Sequence, residues 1–215
     1  KNISMNTLKT ANVIGATLVN KTSGTQDLLF TGKSKIPENW NPAFLIEYIT
    51  NLHHKPAKEN AVIIYDLSQK VLYQQCGKYP EISKLATRIY FFFNDFLSQM
   101  KTEDEILFPE IKRLSKIKKI QPTDKRFNCS EVKNIITKLQ TAHLHALEGL
   151  RQIRRVTKGY TLLSGAPVSF INLYERIKKF ENDLAEHVYL ENNILYPKTL
   201  ALTEILSNGD KYKSA

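Results

Sequence analysis

His187-Val188-Tyr189-Leu190-Glu191-Asn192-Asn193-Ile194-Leu195-Tyr196-Pro197 has a near-copy 88 residues earlier, Gln99-Met100-Lys101-Thr102-Glu103-Asp104-Glu105-Ile106-Leu107-Phe108-Pro109. Both stretches read His or Gln, three residues, Glu, two residues, Ile-Leu-aromatic-Pro. Residues four apart on a helix project from one face, one turn above the other. His187 and Glu191 therefore form a nitrogen-plus-oxygen chelate, and Glu103 supplies the carboxylate of the second copy. A lone His-x3-Glu is most often a surface ion pair; a duplicated one with the same flanking residues points to a metal.

Outward from the repeat, apolar residues recur at three- and four-residue steps in four segments: about Asn41 to Gln75, Pro80 to Leu114, Ser130 to Thr157 and Pro167 to Pro197. Asn41-Pro42 is a cap and first-turn pair, and Ser130 is the expected cap of the third segment. Pro56 is expected to kink the first helix, since it lacks a donor and crowds the preceding turn. Four long helices with short loops predict an all-α, up-down four-helix bundle over residues 41–200. Residues 1–40 are expected to be an extended arm or small hairpin, and residues 201–215 a tail. In such a bundle the two repeat copies occupy matching late positions of the second and fourth helices. The five histidines are His53, His54, His143, His145 and His187, so every imidazole lies on an expected bundle helix. Two facing carboxylates with imidazoles from neighbouring helices can hold two metal ions between them.

Composition narrows the alternatives. The chain has 215 residues, a net charge of +10 and two cysteines, Cys76 and Cys129, at unrelated spacing. A disulfide scaffold is not expected. No apolar run reaches membrane-spanning length and the first residues lack a signal-peptide layout, so a cytoplasmic protein with no membrane partner is the default. The charge raises the option of an anionic partner, with basic clusters at Lys112, Arg113, Lys116, Lys118 and Lys119 and at Arg151, Arg154, Arg155 and Lys158. A solvated basic surface is the simpler explanation, and nucleic acid is not the expected partner. No nucleotide fingerprint, phosphate-binding glycine loop or Ser-His-Asp arrangement occurs.

The segments Leu45 to His54, Glu103 to Pro109, Ile153 to Tyr160 and His187 to Pro197 resemble the hemerythrin-like domain of the iron-sulfur-cluster repair family, over roughly residues 40 to 200. That resemblance implies two iron ions with an oxo or hydroxo bridge, held by four histidines and two bridging glutamates. It implies dioxygen or nitric oxide as small ligands, and iron-sulfur proteins as partners, in the response to nitrosative and oxidative stress. Carried onto this sequence, the metal ligands are His54, Glu103, His143, His187 and Glu191, with Gln99 at a position where the family has histidine. His53 remains the alternative to His54, because the local apolar stripe favours it. His145 remains the alternative to His143: Gly149 follows it at the family's spacing, whereas Ile153-Arg154 follows His143 at the family's spacing and Leu139 and Leu150 share its face.

Three departures bear on function. Gln99 offers an amide oxygen, a weaker ligand than imidazole for a first-row metal, so one ion is expected to be held loosely. Cys76 stands where many relatives carry histidine, and the family's N-terminal Cys-Cys pair has no counterpart in residues 1–40. The leading reading is a non-haem di-iron repair-type protein, with Tyr48, Tyr90, Phe108 and Tyr174 as candidates for the surrounding shell. The alternatives are a module that binds dioxygen, nitric oxide or iron without turnover, and a metal-free scaffold with a basic partner-binding surface.

Overall fold

The computed structural model describes residues 40–75, 77–117, 129–162 and 165–209, with residues 207–209 described by backbone alone. The arm expected over residues 1–40 falls outside the described residues except for Trp40, as do Cys76, Lys118, Lys119 and residues 210–215.

Four rods form an up-down bundle. The first, α1, joins Pro42–Ile49, a wide π-helical turn at Thr50–His54, and Lys55–Gln75. The second, α2, joins Glu81–Thr102, a π turn at Glu103–Leu107, and Phe108–Ser115. The third, α3, is the uninterrupted helix Cys129–Val156. The fourth, α4, joins Val168–Leu190, a π turn at Glu191–Leu195, and Tyr196–Gly209. Asn41 caps α1 as its type and position imply, its Oδ1 accepting the Phe44 N–H at 2.9 Å. The third helix is described from Cys129, so Ser130 lies within the helix and not at its cap.

The prolines follow a local device that the sequence expectation did not include. Pro56, Pro109 and Pro197 each stand two residues after a π turn. An α-helical proline leaves the carbonyl four residues back without a donor and collides with it. Here the residue before each proline, Lys55, Phe108 or Tyr196, donates its N–H to the carbonyl five residues back, on Thr50, Glu103 or Glu191. One residue is accommodated in a wider turn, and the helix runs on past the ring. Pro56 therefore marks a bulge in α1, and α4 passes through Pro197 to Gly209 where the sequence suggested an end.

The wide turns also set the depth of the functional side chains. On every rod the apolar core is interrupted at one level. One cluster includes Ile64, Leu85, Ile89, Phe96, Leu150, Leu173 and Phe180. The other includes Leu45, Ile49, Leu107, Phe108, Ile136, Leu195 and Tyr196. Between them, on successive rods, lie the buried polar groups His54, Glu103, His143, and the pair His187 and Glu191. Among the described residues no helix is long and apolar enough to cross a membrane.

The far end of the bundle is pinned by a second buried carboxylate. Glu181 of α4, 1% exposed, accepts two hydrogen bonds from Arg154 of α3 at 3.0 and 2.8 Å and one from the Tyr160 hydroxyl at 3.0 Å. Tyr160 reaches it because the chain leaves α3 through left-handed Lys158, Gly159 and Tyr160. Removing Arg154 strands a buried charge, which is far costlier than losing a surface pair. Arg154→Ala is expected to lose about 2–3 kcal/mol of stability. Arg155→Ala, whose partner Glu148 is exposed, should change it by less than about 0.5 kcal/mol. Urea unfolding midpoints of the two variants measure the difference.

Candidate metal centre

The centre divides into two sets of donor atoms. In the first, His54 Nε2 lies 3.0 Å from His187 Nε2 and 3.3 Å from Glu191 Oε1, and His187 Nε2 lies 3.1 Å from that same oxygen. Glu103 Oε2 is 3.6 Å from His54 Nε2. In the second, His143 Nε2 lies 3.2 Å from Glu103 Oε1 and 3.0 Å from Glu191 Oε2. Each glutamate thus presents one oxygen to each set. Two ligands about 2.1 Å from one ion and at right angles are about 3.0 Å apart, so these separations suit atoms sharing a cation. Donor atoms of His54, Glu103, His187 and Glu191 fall within 4.8 Å of one another, and His143 joins through the remaining carboxylate oxygens.

The tautomers favour the same arrangement. Asp104 Oδ1 accepts a hydrogen bond from His54 Nδ1 at 2.7 Å, and Asn192 Oδ1 accepts one from His143 Nδ1 at 3.0 Å. With the proton on Nδ1, each Nε2 turns a lone pair to the centre, the usual way a protein orients a metal-binding imidazole. Asp104 is itself held by Lys58 at 2.6 Å. Two carboxylate oxygens, Glu103 Oε2 and Glu191 Oε2, are buried without a hydrogen-bond partner. The latter lies near His143 Nε2 at an angle that makes no bond. Orphaned anionic oxygens in a dry interior call for a cation.

Electrostatics in the metal-free chain express the same demand. Burial works to lower the His54 pKa, but Asp104 and the carboxylates of Glu191 and Glu103 outweigh it and raise the value to about 9. For His143 burial is again overcome, here by Glu103 and Glu191, and the value reaches about 10. Burial alone would raise Glu191; the surrounding histidines, led by His187, hold it well below the ordinary carboxylate range. Burial and the two carboxylates push the Tyr196 phenol well above its usual value. Protons on imidazole stand in for cations, and a metal must displace them.

The structure brings His54, Glu103, His143, His187, Glu191 and Gln99 to one layer. His145 is exposed on the opposite face of α3, as its wheel position implied. His53 is buried, but its Nε2 meets no partner and its ring lies 6.1 Å from that of His187, outside both donor sets. Burial holds its pKa down to about 4, which keeps it neutral. The π turn at Thr50–His54 carries His54 to the centre, a shift that the regular apolar stripe of α1 could not reveal. Gln99 is buried and donates from Nε2 to Glu103 Oε1 at 3.3 Å, presenting the hydrogen side of its amide to the centre.

The expected aromatic shell needs correction. Phe108 stacks on His54 with ring centroids 5.2 Å apart, and Tyr48 lies near His53. Tyr90 is on the surface and Tyr174 belongs to the distant core. Tyr196, unremarked in the sequence, stacks on His143 at 5.9 Å and donates its hydroxyl to Glu103 Oε1 at 3.0 Å. Asp104 and Asn192 were also missed, although the repeat aligns them: each follows the glutamate of its copy and fixes the imidazole of an adjoining rod.

With this geometry in place, comparisons with known proteins agree on its kind. The family model described as Hemerythrin HHE cation binding domain matches residues 45–199. The chain is similar to the iron-sulfur cluster repair protein YtfE of Citrobacter koseri, at 27% identity over 179 residues, covering 81% of this chain and 75% of that one. The YtfE proteins of Escherichia coli O81 and Escherichia fergusonii are 28% and 27% identical with the same coverage.

A ligand that binds only the folded chain stabilises it by about 2.7 kcal/mol at one hundred times its dissociation constant. Added cobalt(II) is expected to raise Tm of the wild type and of His145→Ala alike, and to leave a Glu103→Ala/Glu191→Ala double variant unmoved. Thermal melts followed by circular dichroism check both outcomes.

Proposed function

The chain belongs to the hemerythrin HHE cation binding family, and from that premise we propose that it is a non-haem di-iron protein of the cluster-repair type, whose second iron is held weakly enough to be given up. The observation that carries this reading is the inequality of the two donor sets. Around the first, two imidazoles and an oxygen from each glutamate converge. Around the second there is one imidazole, and the neighbouring position is the amide of Gln99. Glu103 and Glu191 serve both sets, and His54, His143 and His187 supply the nitrogens.

When bound, iron supplies an exchangeable, redox-active cation with an open coordination position suited to dioxygen or nitric oxide. The chain's own residues do the rest. Two apolar cores keep bulk water from the carboxylates, and Asp104 and Asn192 keep two imidazoles aimed inward. A surface cavity of about 460 Å³ between α2 and α3 reaches Gln99, with Phe91, Phe92, Phe96, Asp95 and His145 among its walls. It offers the weaker position a route to small ligands, or to a chelating acceptor. The names of the similar proteins make an iron-sulfur protein the favoured acceptor. The basic-scaffold alternative draws less support: Arg154 serves Glu181, Arg151 and Arg155 pair with Glu148, and Lys112 pairs with Glu47.

Anaerobic titration with ferrous iron is expected to show fewer than two tightly bound ions per chain, and Gln99→His to bind two firmly. The loosely held iron should pass to an apo-form iron-sulfur acceptor, more slowly from Gln99→His. Two ions bound with equal strength by the wild type would contradict the proposal, as would a wild type that retains its iron in the presence of the acceptor.

A further inference from the structure

Two of the positions at which the halves of the repeat differ lie beside the donor atoms themselves, and these two differences complement each other. Gln99 stands where the other copy has His187, and Tyr196 stands where the first copy has Phe108. The two aromatic rings do the same packing work: Phe108 lies on His54 at an interplanar angle of 20°, and Tyr196 on His143 at 4°. A phenylalanine would satisfy that role at either place. What Tyr196 adds is one oxygen, on a fully buried side chain, aimed at the metal layer.

That oxygen falls in the half of the centre that has one imidazole where the other half has two. Tyr196 Oη is 3.0 Å from Glu103 Oε1. The same oxygen is approached by His143 Nε2 at 3.2 Å and by Gln99 Nε2 at 3.3 Å. Glu103 Oε1 is thus the meeting point of the second donor set, and Tyr196 approaches it at the separation of two ligands cis to one another on one ion. We propose that Tyr196 is a ligand of the second iron in its ferric state, its phenolate oxygen filling the place of the imidazole that Gln99 does not supply.

This rests on the di-iron reading above and deepens it, by assigning which oxidation state the weaker position retains. An anionic oxygen is a hard ligand that suits ferric iron better than ferrous iron, so the ion released in the reduced protein is held in the oxidised one. In the coordination step the phenolic O–H bond breaks, an iron–oxygen bond forms and the proton passes to solvent. No electron moves in that step. A simpler role exists for the hydroxyl, as a hydrogen-bond donor to Glu103, and it makes a different spectroscopic prediction, because only a coordinated phenolate gives a phenolate-to-iron charge-transfer band.

The test uses the full chain, loaded anaerobically with ferrous iron, oxidised with ferricyanide as a one-electron oxidant, and freed of excess reagent. Iron per chain and visible absorption are then measured on wild type, Tyr196→Phe and Tyr48→Phe, with resonance Raman spectra excited in the visible band. The expected result is a visible band with coordinated-tyrosinate ring modes in wild type and in Tyr48→Phe, and its loss in Tyr196→Phe. In competition with a ferric chelator, Tyr196→Phe should surrender iron that the wild type keeps. Because phenylalanine already occupies the matching place in the other copy, the variant is expected to keep its helical circular dichroism. Iron-loaded ferric wild type without the band, or a band that survives in Tyr196→Phe, overturns the ligand assignment and leaves the di-iron reading standing. A chain that takes up no iron overturns both.

Discussion

Two carboxylates, Glu103 and Glu191, sit in the dry middle of the bundle with no lysine or arginine paired to them among the described residues, and the surrounding structure answers to that constraint. Burying an ionised carboxylate costs several kcal/mol unless charge and hydrogen bonds compensate. The groups gathered around these two are imidazoles, a phenol and an amide. In the metal-free chain, compensation comes from protons on His54 and His143, whose pKa values rise to about 9 and about 10 against the pull of burial. Contrast Glu181, equally buried, which has an arginine forked onto it. That carboxylate locks two helices together; the central pair awaits cations.

The wide helical turns follow from the same constraint. A regular helix carrying Pro109 or Pro197 would kink or stop there. Instead the π turns at Glu103–Leu107 and Glu191–Leu195 begin on the two glutamates themselves, and the turn at Thr50–His54 ends on the histidine that faces them. Such single-turn bulges occur often at functional sites. Here they let three of the four rods continue past a proline while placing a donor at the level where the apolar core is interrupted.

Much of this was legible in the sequence. The repeat placed Glu103, His187 and Glu191 on matching faces, and apolar periodicity placed the four rods. The helical wheel distinguished His143 from His145 because α3 is regular throughout. The same device favoured His53 over His54, against the structure, because α1 is not regular: a five-residue turn rotates everything beyond it, and a proline in the sequence signals a disturbance without giving its form. Position 197 misled for the same reason. Asp104, Asn192 and Tyr196 escaped notice although the repeat aligns them, since their roles depend on contacts with neighbouring rods that spacing along one chain does not reveal.

Inequality between the two donor sets separates this chain from a symmetric pair of sites, and it arises from a single side chain, Gln99, standing next to a surface cavity. The claim beneath it is that Glu103 and Glu191 each span two cations. Anomalous diffraction at the iron edge, from crystals grown with iron-loaded oxidised protein, tests it most directly. Two anomalous peaks about 3.5–4 Å apart, both lying between those carboxylates, are the expected result. A single peak touching only one glutamate, or iron confined to the protein surface, would contradict it.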